Sequence, residues 1–265
     1  MQHTIFLEDL EARITEQLPF VVYKKPRQTS VNALLQDDDA LHTIHDFTQS
    51  GFVFAPFKGD AHIIKGKKVF VSTKENQQQP LPQPSIVEDM DSRQKHVDLV
   101  QRAVDAIRST PLKKVVLSRQ QNVPSTVGPL QVFNRLAAKY KNAFTYYVYH
   151  PKIGQWLGAT PEKLLKISGN TYETMSLAGT QLDQGQQEVA WGAKEQEEQQ
   201  MVTDEIISRL REINPDTIHV GERQTHKAGS LLHLRTKISG RLPQGSDVSN
   251  LIKALHPTPA VCGLP

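Results

Sequence analysis

Between residues 164 and 176 the chain doubles back on itself. Residues 164–167 and 172–176 are short apolar-rich runs, and Ser168-Gly169-Asn170-Thr171 between them carries the Gly-Asn signal of a tight hairpin. A hairpin joins antiparallel neighbours, and the rest of the chain must accommodate that sheet. Further β-branched or aromatic runs at 20–23, 51–57, 67–72, 114–120 and 144–149 read as strands. Other stretches have helical spacing. Phe6, Leu7, Leu10, Ile14 and Leu18 line residues 4–18; Val100, Val104 and Ile107 line 96–109; Val132, Leu136 and Ala137 line 129–141. A long helix is expected over 187–213 and a short one over 247–255. Hairpins mixed with long helices predict an α+β fold, with antiparallel sheets packed against each other and helices outside.

The 265 residues suffice for one large domain or two small ones. The polar, proline-broken stretch 74–85 is the most linker-like and sets a soft boundary, giving an N-terminal part at 1–85 and a second part at 86–265. With 38% hydrophobic residues and a net charge of +3, the chain is not disordered as a whole. No run approaches the roughly 18 apolar residues of a membrane helix. The acids near the N-terminus do not suit a signal peptide, and the single Cys262 forbids an intrachain disulfide. A cytoplasmic protein is the expectation. Lysines at 24–25, 65–68 and 113–114 lack interleaved aromatics, so they read as solvated loop or strand-end residues rather than a nucleic-acid surface.

Three segments are chemically unusual. Alternation along Lys113-Lys114-Val115-Val116-Leu117-Ser118-Arg119 puts Lys114 on one face and Lys113 on the other, and pattern alone does not choose between them. Small residues before Thr160-Pro161-Glu162 make a bend that presents Glu162, although a Thr-Pro-Glu helix start has the same look. Ser176-Leu177-Ala178-Gly179-Thr180 similarly ends a strand in small residues. In the acid-rich helix, counting in fours places Glu198 on the stripe of Val202, Ile206 and Leu210, with Glu195 and Glu197 off it. A carboxylate extending a buried stripe needs a cation, which makes Glu198 the metal candidate; a stripe ending at Val202 would leave it wet.

Six segments then occur in a telling order: Lys114 to Arg119, Gly158-Ala159-Thr160-Pro161-Glu162, Leu177-Ala178-Gly179-Thr180, the Lys194-x-x-x-Glu198 helix, Leu231-Leu232-His233-Leu234-Arg235-Thr236, and Leu255-His256-Pro257-Thr258-Pro259-Ala260. Over roughly residues 95 to 265, the chain resembles the chorismate-utilising enzymes, a family of isochorismate, salicylate, anthranilate and aminodeoxychorismate synthases. The resemblance implies a chorismate-binding catalytic part at 86–265. Lysine at 114 matches the water-using members, where ammonia users typically have glutamine. Ala178 stands where aminodeoxychorismate synthases have a nucleophilic lysine. Water-using chemistry at chorismate is therefore the best fit, with no glutamine amidotransferase partner; isochorismate synthase is favoured over salicylate synthase, which would also eliminate pyruvate.

Adding water and expelling hydroxide requires both a base and an acid. By resemblance Lys114 is the base and Glu162 the acid, Glu198 ligates Mg²⁺, and Gly179, Thr180, His233 and, more weakly, Ala260 contact chorismate. No other cofactor is implied. A satisfied core histidine between Leu232 and Leu234 is the alternative for His233. Relatives continue past the His-Pro-Thr-Pro-Ala segment, where the second metal glutamate and further basic residues would lie. An incomplete chain acting only as a binding module is thus the other reading.

Overall fold

Helices and antiparallel strands interleave along the whole chain. The computed structural model describes residues 3–72, 89–186, 188–213, 217–243 and 245–264, so the stretch expected as a loop at 74–85 lies outside the described residues. In chain order the elements begin with α1 (His3–Thr15), β1 (Phe20–Lys24), β2 (Ser30–Leu35), β3 (Thr43–Ile44), β4 (Phe52–Phe54), β5 (Ala61–Ile64) and β6 (Lys67–Ser72). Next come α2 (Met90–Ser109), β7 (Lys114–Val115), α3 (Pro129–Lys139), β8 (Phe144–His150), β9 (Gly154–Thr160), β10 (Lys166–Ser168) and β11 (Thr171–Leu182). The last are α4 (Ala193–Ile213), β12 (Ile218–Ala228), β13 (Leu231–Arg241), α5 (Val248–Leu255) and β14 (Gly263–Leu264). The described strand pairings are antiparallel, which makes this the α+β class that the hairpin predicts. Among the described residues no helix is long and apolar enough to cross a membrane.

The chain forms two compact units, Met1–Leu81 with Thr126–Pro161, and Pro82–Ser125 with Glu162–Pro265. The first unit thus takes back residues 126–161, a return that no proline-rich stretch announces. Its five-stranded sheet has the order β6-β2-β1-β8-β9. Both faces of β1 are covered, which is why Phe20-Val21-Val22-Tyr23 is continuously apolar rather than alternating. Phe20, Val22, Tyr147 and Tyr149 pack with Leu10 of α1 and with Leu130, Phe133 and Ala137 of α3. Val21, Tyr23 and Val148 pack with Ile64, Phe52 and Phe54. Helix α1 stops at Thr15, short of the expected residue 18, because Gln17 is left-handed (φ 58°) and Leu18 N donates back to Arg13 O.

In the second unit the four-stranded sheet runs β10-β11-β13-β12. Strand β13 alternates: Leu232, Leu234, Thr236 and Ile238 are buried, while His233, Arg235 and Lys237 are on the other face. Helix α4 covers the buried face with Val202, Ile206 and Leu210, joined by Leu251 and Leu255 of α5. Burying each such side chain contributes about 1.5–3 kcal/mol. Asp247 caps α5 by accepting from Ser249 N at 2.8 Å. Helix α2 starts earlier than residue 96 because Asp89 caps it, accepting from Ser92 N.

Two expectations fail here. The strand over 114–120 is only β7, two residues long, because its partner β14 is itself two residues long. Two of the lysines expected in solvent are also withdrawn from it. Lys24 is buried and donates from Nζ to Ala137 O at 2.9 Å, and Lys114 is turned inward.

Candidate functional site

Pairing of β7 with β14 selects which lysine enters the site. Lys113 N donates to Leu264 O and Val116 N to Cys262 O, bracketing the pairs Lys114–Leu264 and Val115–Gly263. Glycine is required at 263, where φ is +130° and a Cβ would lie 2.3 Å from Lys114 O. Lys113 is exposed, whereas the Lys114 side chain keeps only 11% of its surface. The face that the sequence left open is therefore settled. Lys114 Nζ donates to Pro259 O at 2.6 Å and stands 3.5 Å from Glu198 Oε1. Pro259 precedes Ala260, which packs on the α4 core, so three of the expected site residues gather here.

Glu198 sits at the margin of the buried stripe rather than on it, its side chain one-third exposed. The stripe runs instead through Gln199, Val202, Thr203, Ile206 and Leu210. That geometry suits a carboxylate which must be anchored yet reachable.

Gly179, Thr180 and His233 form a second group. Register between β11 and β13 shifts between Ala178 and Thr180, a bulge at which Gly179 adopts φ +73°. The bulge lies against the first turn of α4, since a Cβ on Gly179 would be 3.2 Å from Glu195 Cβ and O. Glu195 and Glu198 are neighbours three apart on that helix, and so the bulge and the Lys114–Glu198 pair are set by one element. Thr180 then pairs with His233 across the strands. His233 Nδ1 is 3.2 Å from Gly179 O and 3.1 Å from Thr180 Oγ1. A carbonyl only accepts, so the neutral ring carries its proton on Nδ1 and presents Nε2 as an acceptor; protonation turns Nε2 into a donor suited to a carboxylate. His233 is not a core histidine, because its neighbours Leu232 and Leu234 point to the opposite face.

Glu162 lies between β9 and β10, at the start of the second unit's longer segment. Burial pushes its carboxyl above the usual carboxylate range. A protonated carboxyl near neutral pH can donate a proton, which is the state a general acid needs.

Among the described residues no group of three or more His, Cys, Asp or Glu side chains is placed to hold a metal ion. Mg²⁺ nevertheless commonly takes one or two carboxylates and fills its remaining positions with water and substrate oxygens. Glu198, one-third exposed at a helix margin, fits that single-carboxylate role. Sequence reasoning missed the Pro259 carbonyl and the hydroxyl-amide group of Ser176, Gln199, Thr203 and Thr236 beneath the site. The signal for Gln199 was present, since it precedes Thr203 and Ile206 at helical spacing.

The profile of the family described as chorismate binding enzyme matches residues 55–265. This chain belongs to that family. It is 32% identical over 176 residues to the salicylate biosynthesis isochorismate synthase of Pseudomonas aeruginosa, covering 63% of this chain and 37% of that one. Over 179 residues it is 30% identical to isochorismate synthase MenF of Pasteurella multocida, covering 63% and 41%. Among solved structures, the menaquinone-specific isochorismate synthase of Escherichia coli aligns with TM-score 0.68 and 21% identity over 93% of this chain and 70% of that one; at that identity the likeness shows the fold. The chain spans less than half the length of either curated relative.

Proposed function

We propose that this chorismate-binding enzyme is an isochorismate synthase, adding water to one ring carbon of chorismate and expelling hydroxide from another. The observation that carries the reading is Lys114. A lysine, not a glutamine, occupies this position of β7, and its amine is withdrawn from solvent onto Pro259 O and Glu198. Glutamine could bind a nucleophile there but could not take its proton. Lysine in its neutral form can.

In this reading Lys114 accepts a proton from water as the water oxygen bonds to the ring. Glu162, whose carboxyl burial biases toward the protonated form, passes its proton to the departing hydroxide, which leaves as water. One proton is taken and one is given, so the reaction is a net isomerisation. His233, held by Gly179 O and Thr180 Oγ1, meets a substrate carboxylate through Nε2, and the small side chains of Gly179 and Ala260 allow close approach. Mg²⁺ held by Glu198 would supply positive charge to orient and neutralise a substrate carboxylate. Because Glu198 also contacts Lys114 Nζ, a cation held by Glu198 would stand beside that amine and favour its neutral form. Water as nucleophile removes any need for a glutamine amidotransferase partner.

The test is direct. The protein is mixed with chorismate and Mg²⁺ and the products are separated by chromatography. A product of unchanged mass and different retention supports isochorismate formation. Salicylate with released pyruvate would replace the reading by salicylate synthase. Bound but unconverted chorismate would make the chain a binding module.

A further inference from the structure

Beneath the site lies a polar cluster that the proposed reaction does not use. Gln199 is completely buried. Its Nε2 lies 2.9 Å from Ser176 Oγ on β11, 2.9 Å from Thr236 Oγ1 on β13 and 3.0 Å from Thr203 Oγ1 one turn along α4. Ser176 and Thr203 are 2.7 Å apart, and Thr203 Oγ1 also reaches Gln199 O at 3.0 Å. The protons can be assigned. Thr203 spends its hydroxyl proton on the Gln199 carbonyl, so Ser176 must be the donor to Thr203. The amide NH₂ has two hydrogens for three hydroxyl oxygens, while Gln199 Oε1 is buried without a partner among the described contacts. The amide NH₂ is thus satisfied, whereas its buried Oε1 costs desolvation.

Stability does not explain such a cluster. Apolar residues of matched shape at all four positions would avoid that desolvation, whereas methionine at 199 alone would leave the buried Ser176 and Thr236 hydroxyls without this partner. What the amide provides is position. Gln199 is the residue after Glu198; Ser176 is three residues before the Gly179 bulge; Thr236 is three residues after His233. One side chain therefore ties together three of the elements that carry the site, fixing how far α4 is rotated and how deep it lies against the ends of β11 and β13. Directional hydrogen bonds set rotation in a way that apolar packing does not.

We infer that Gln199 is a positioning residue that holds Glu198 in register with Lys114 and with the Gly179–His233 strand ends. The inference rests on the reading of Glu198 as a site carboxylate, and it is tested without turnover. In chelator-treated protein, melting temperatures are measured for Lys114→Met, Glu198→Gln and the double variant; the non-additive part reports the coupling of that pair. The same cycle is repeated in a Gln199→Met background, with the Glu205–Arg209 pair on α4 as a control cycle. The expected result is a coupling between Lys114 and Glu198 reduced at least about twofold while the control coupling is unchanged. Thr236→Val, which removes one hydroxyl at constant shape, replaces Gln199→Met if that variant does not fold, and is expected to act in the same direction. Coupling that persists in these backgrounds would make the cluster purely structural and overturn the inference. Chorismate conversion by the unsubstituted protein is not an input to the cycle, so failure of the proposed reaction is read separately.

Discussion

Lys114 and Lys113 are adjacent lysines with opposite fates, and the difference is a matter of strand geometry. One faces Glu198 and Pro259 O; the other faces water. In protein that converts chorismate, Lys114→Gln is expected to abolish isochorismate formation with the fold intact, and Lys113→Gln to leave turnover nearly unchanged. Product chromatography and circular dichroism check both. Glu162 permits a test that needs no substrate. Its folded carboxyl titrates above the ordinary value of 4.5 because burial disfavours the charge. The native state then holds a proton that the unfolded chain has released, so stability is full below that ordinary value and is lost as pH rises through the folded value. Glu162→Gln removes the ionisation. Melting temperatures from pH 4 to 8 should show the variant level with the parent at the acid end and gaining on it towards neutrality. A constant gap across the range would mean that Glu162 is not held protonated by the fold.

At the scale of elements, Lys24 shows what a buried cation does for a helix. Ala137 lies in the last turn of α3, where carbonyls have no partner within the helix. Lys24 Nζ reaches across from β1 to that oxygen. Burial, with Lys141 nearby, lowers the Lys24 pKa, yet a positive group at a helix C-terminus and a satisfied carbonyl offset that cost. Lys24→Met is expected to destabilise the first unit by about 1–3 kcal/mol, read by urea unfolding. The elements also show what was legible in the sequence. The hairpin of β10 and β11 was, because a turn signal lay between two apolar runs, and β8 was, because its aromatics are consecutive. Strand β13 carries an alternation of Leu232, Leu234 and Ile238 with His233, Arg235 and Lys237 that is readable in the sequence. Strand β12 carried none, since almost all of it is exposed and no face is distinguished. The length of β7 could not be read locally at all, being set by a partner far along the chain. On α4, counting in fours advances 400° per step and drifts about 40° from one side of the helix. Over the three steps from Leu210 back to Glu198 the drift becomes large, which is why the stripe runs through Gln199. The candidate site residues stood out mainly as an ordered set of motifs; their contacts, and the amide cluster beneath them, needed the fold.

For the whole molecule, the two units can be followed separately because each owns one of the two tryptophans. Trp156 is on β9 in the first unit, and Trp191 donates to Thr225 Oγ1 in the second. With Trp191→Phe as background, fluorescence reports Trp156 alone, and Lys24→Met should lower its unfolding midpoint. With Trp156→Phe as background, Asp247→Ala, which removes the α5 cap, should lower the midpoint seen at Trp191 by an amount corresponding to about 1 kcal/mol. A shift absent from the matching tryptophan would contradict the assignment of that side chain to its unit.

The pairing of β7 with β14 also has a consequence for how the protein comes into being. Lys114 is separated by 145 residues from the Pro259 carbonyl that it meets. On the ribosome, Lys114 leaves the exit tunnel long before its backbone partners have been translated, and distant pairings form late because a long loop must close first. The first unit can complete its sheet once β9 has emerged, whereas the lysine strand must wait for the segment around Gly263. A nascent chain halted anywhere between these points would hold a folded first unit and a Lys114 strand without its partner. The contact of Lys114 with Pro259 O therefore forms only after the segment around Gly263 has been made, and shorter products of synthesis carry the lysine without that partner.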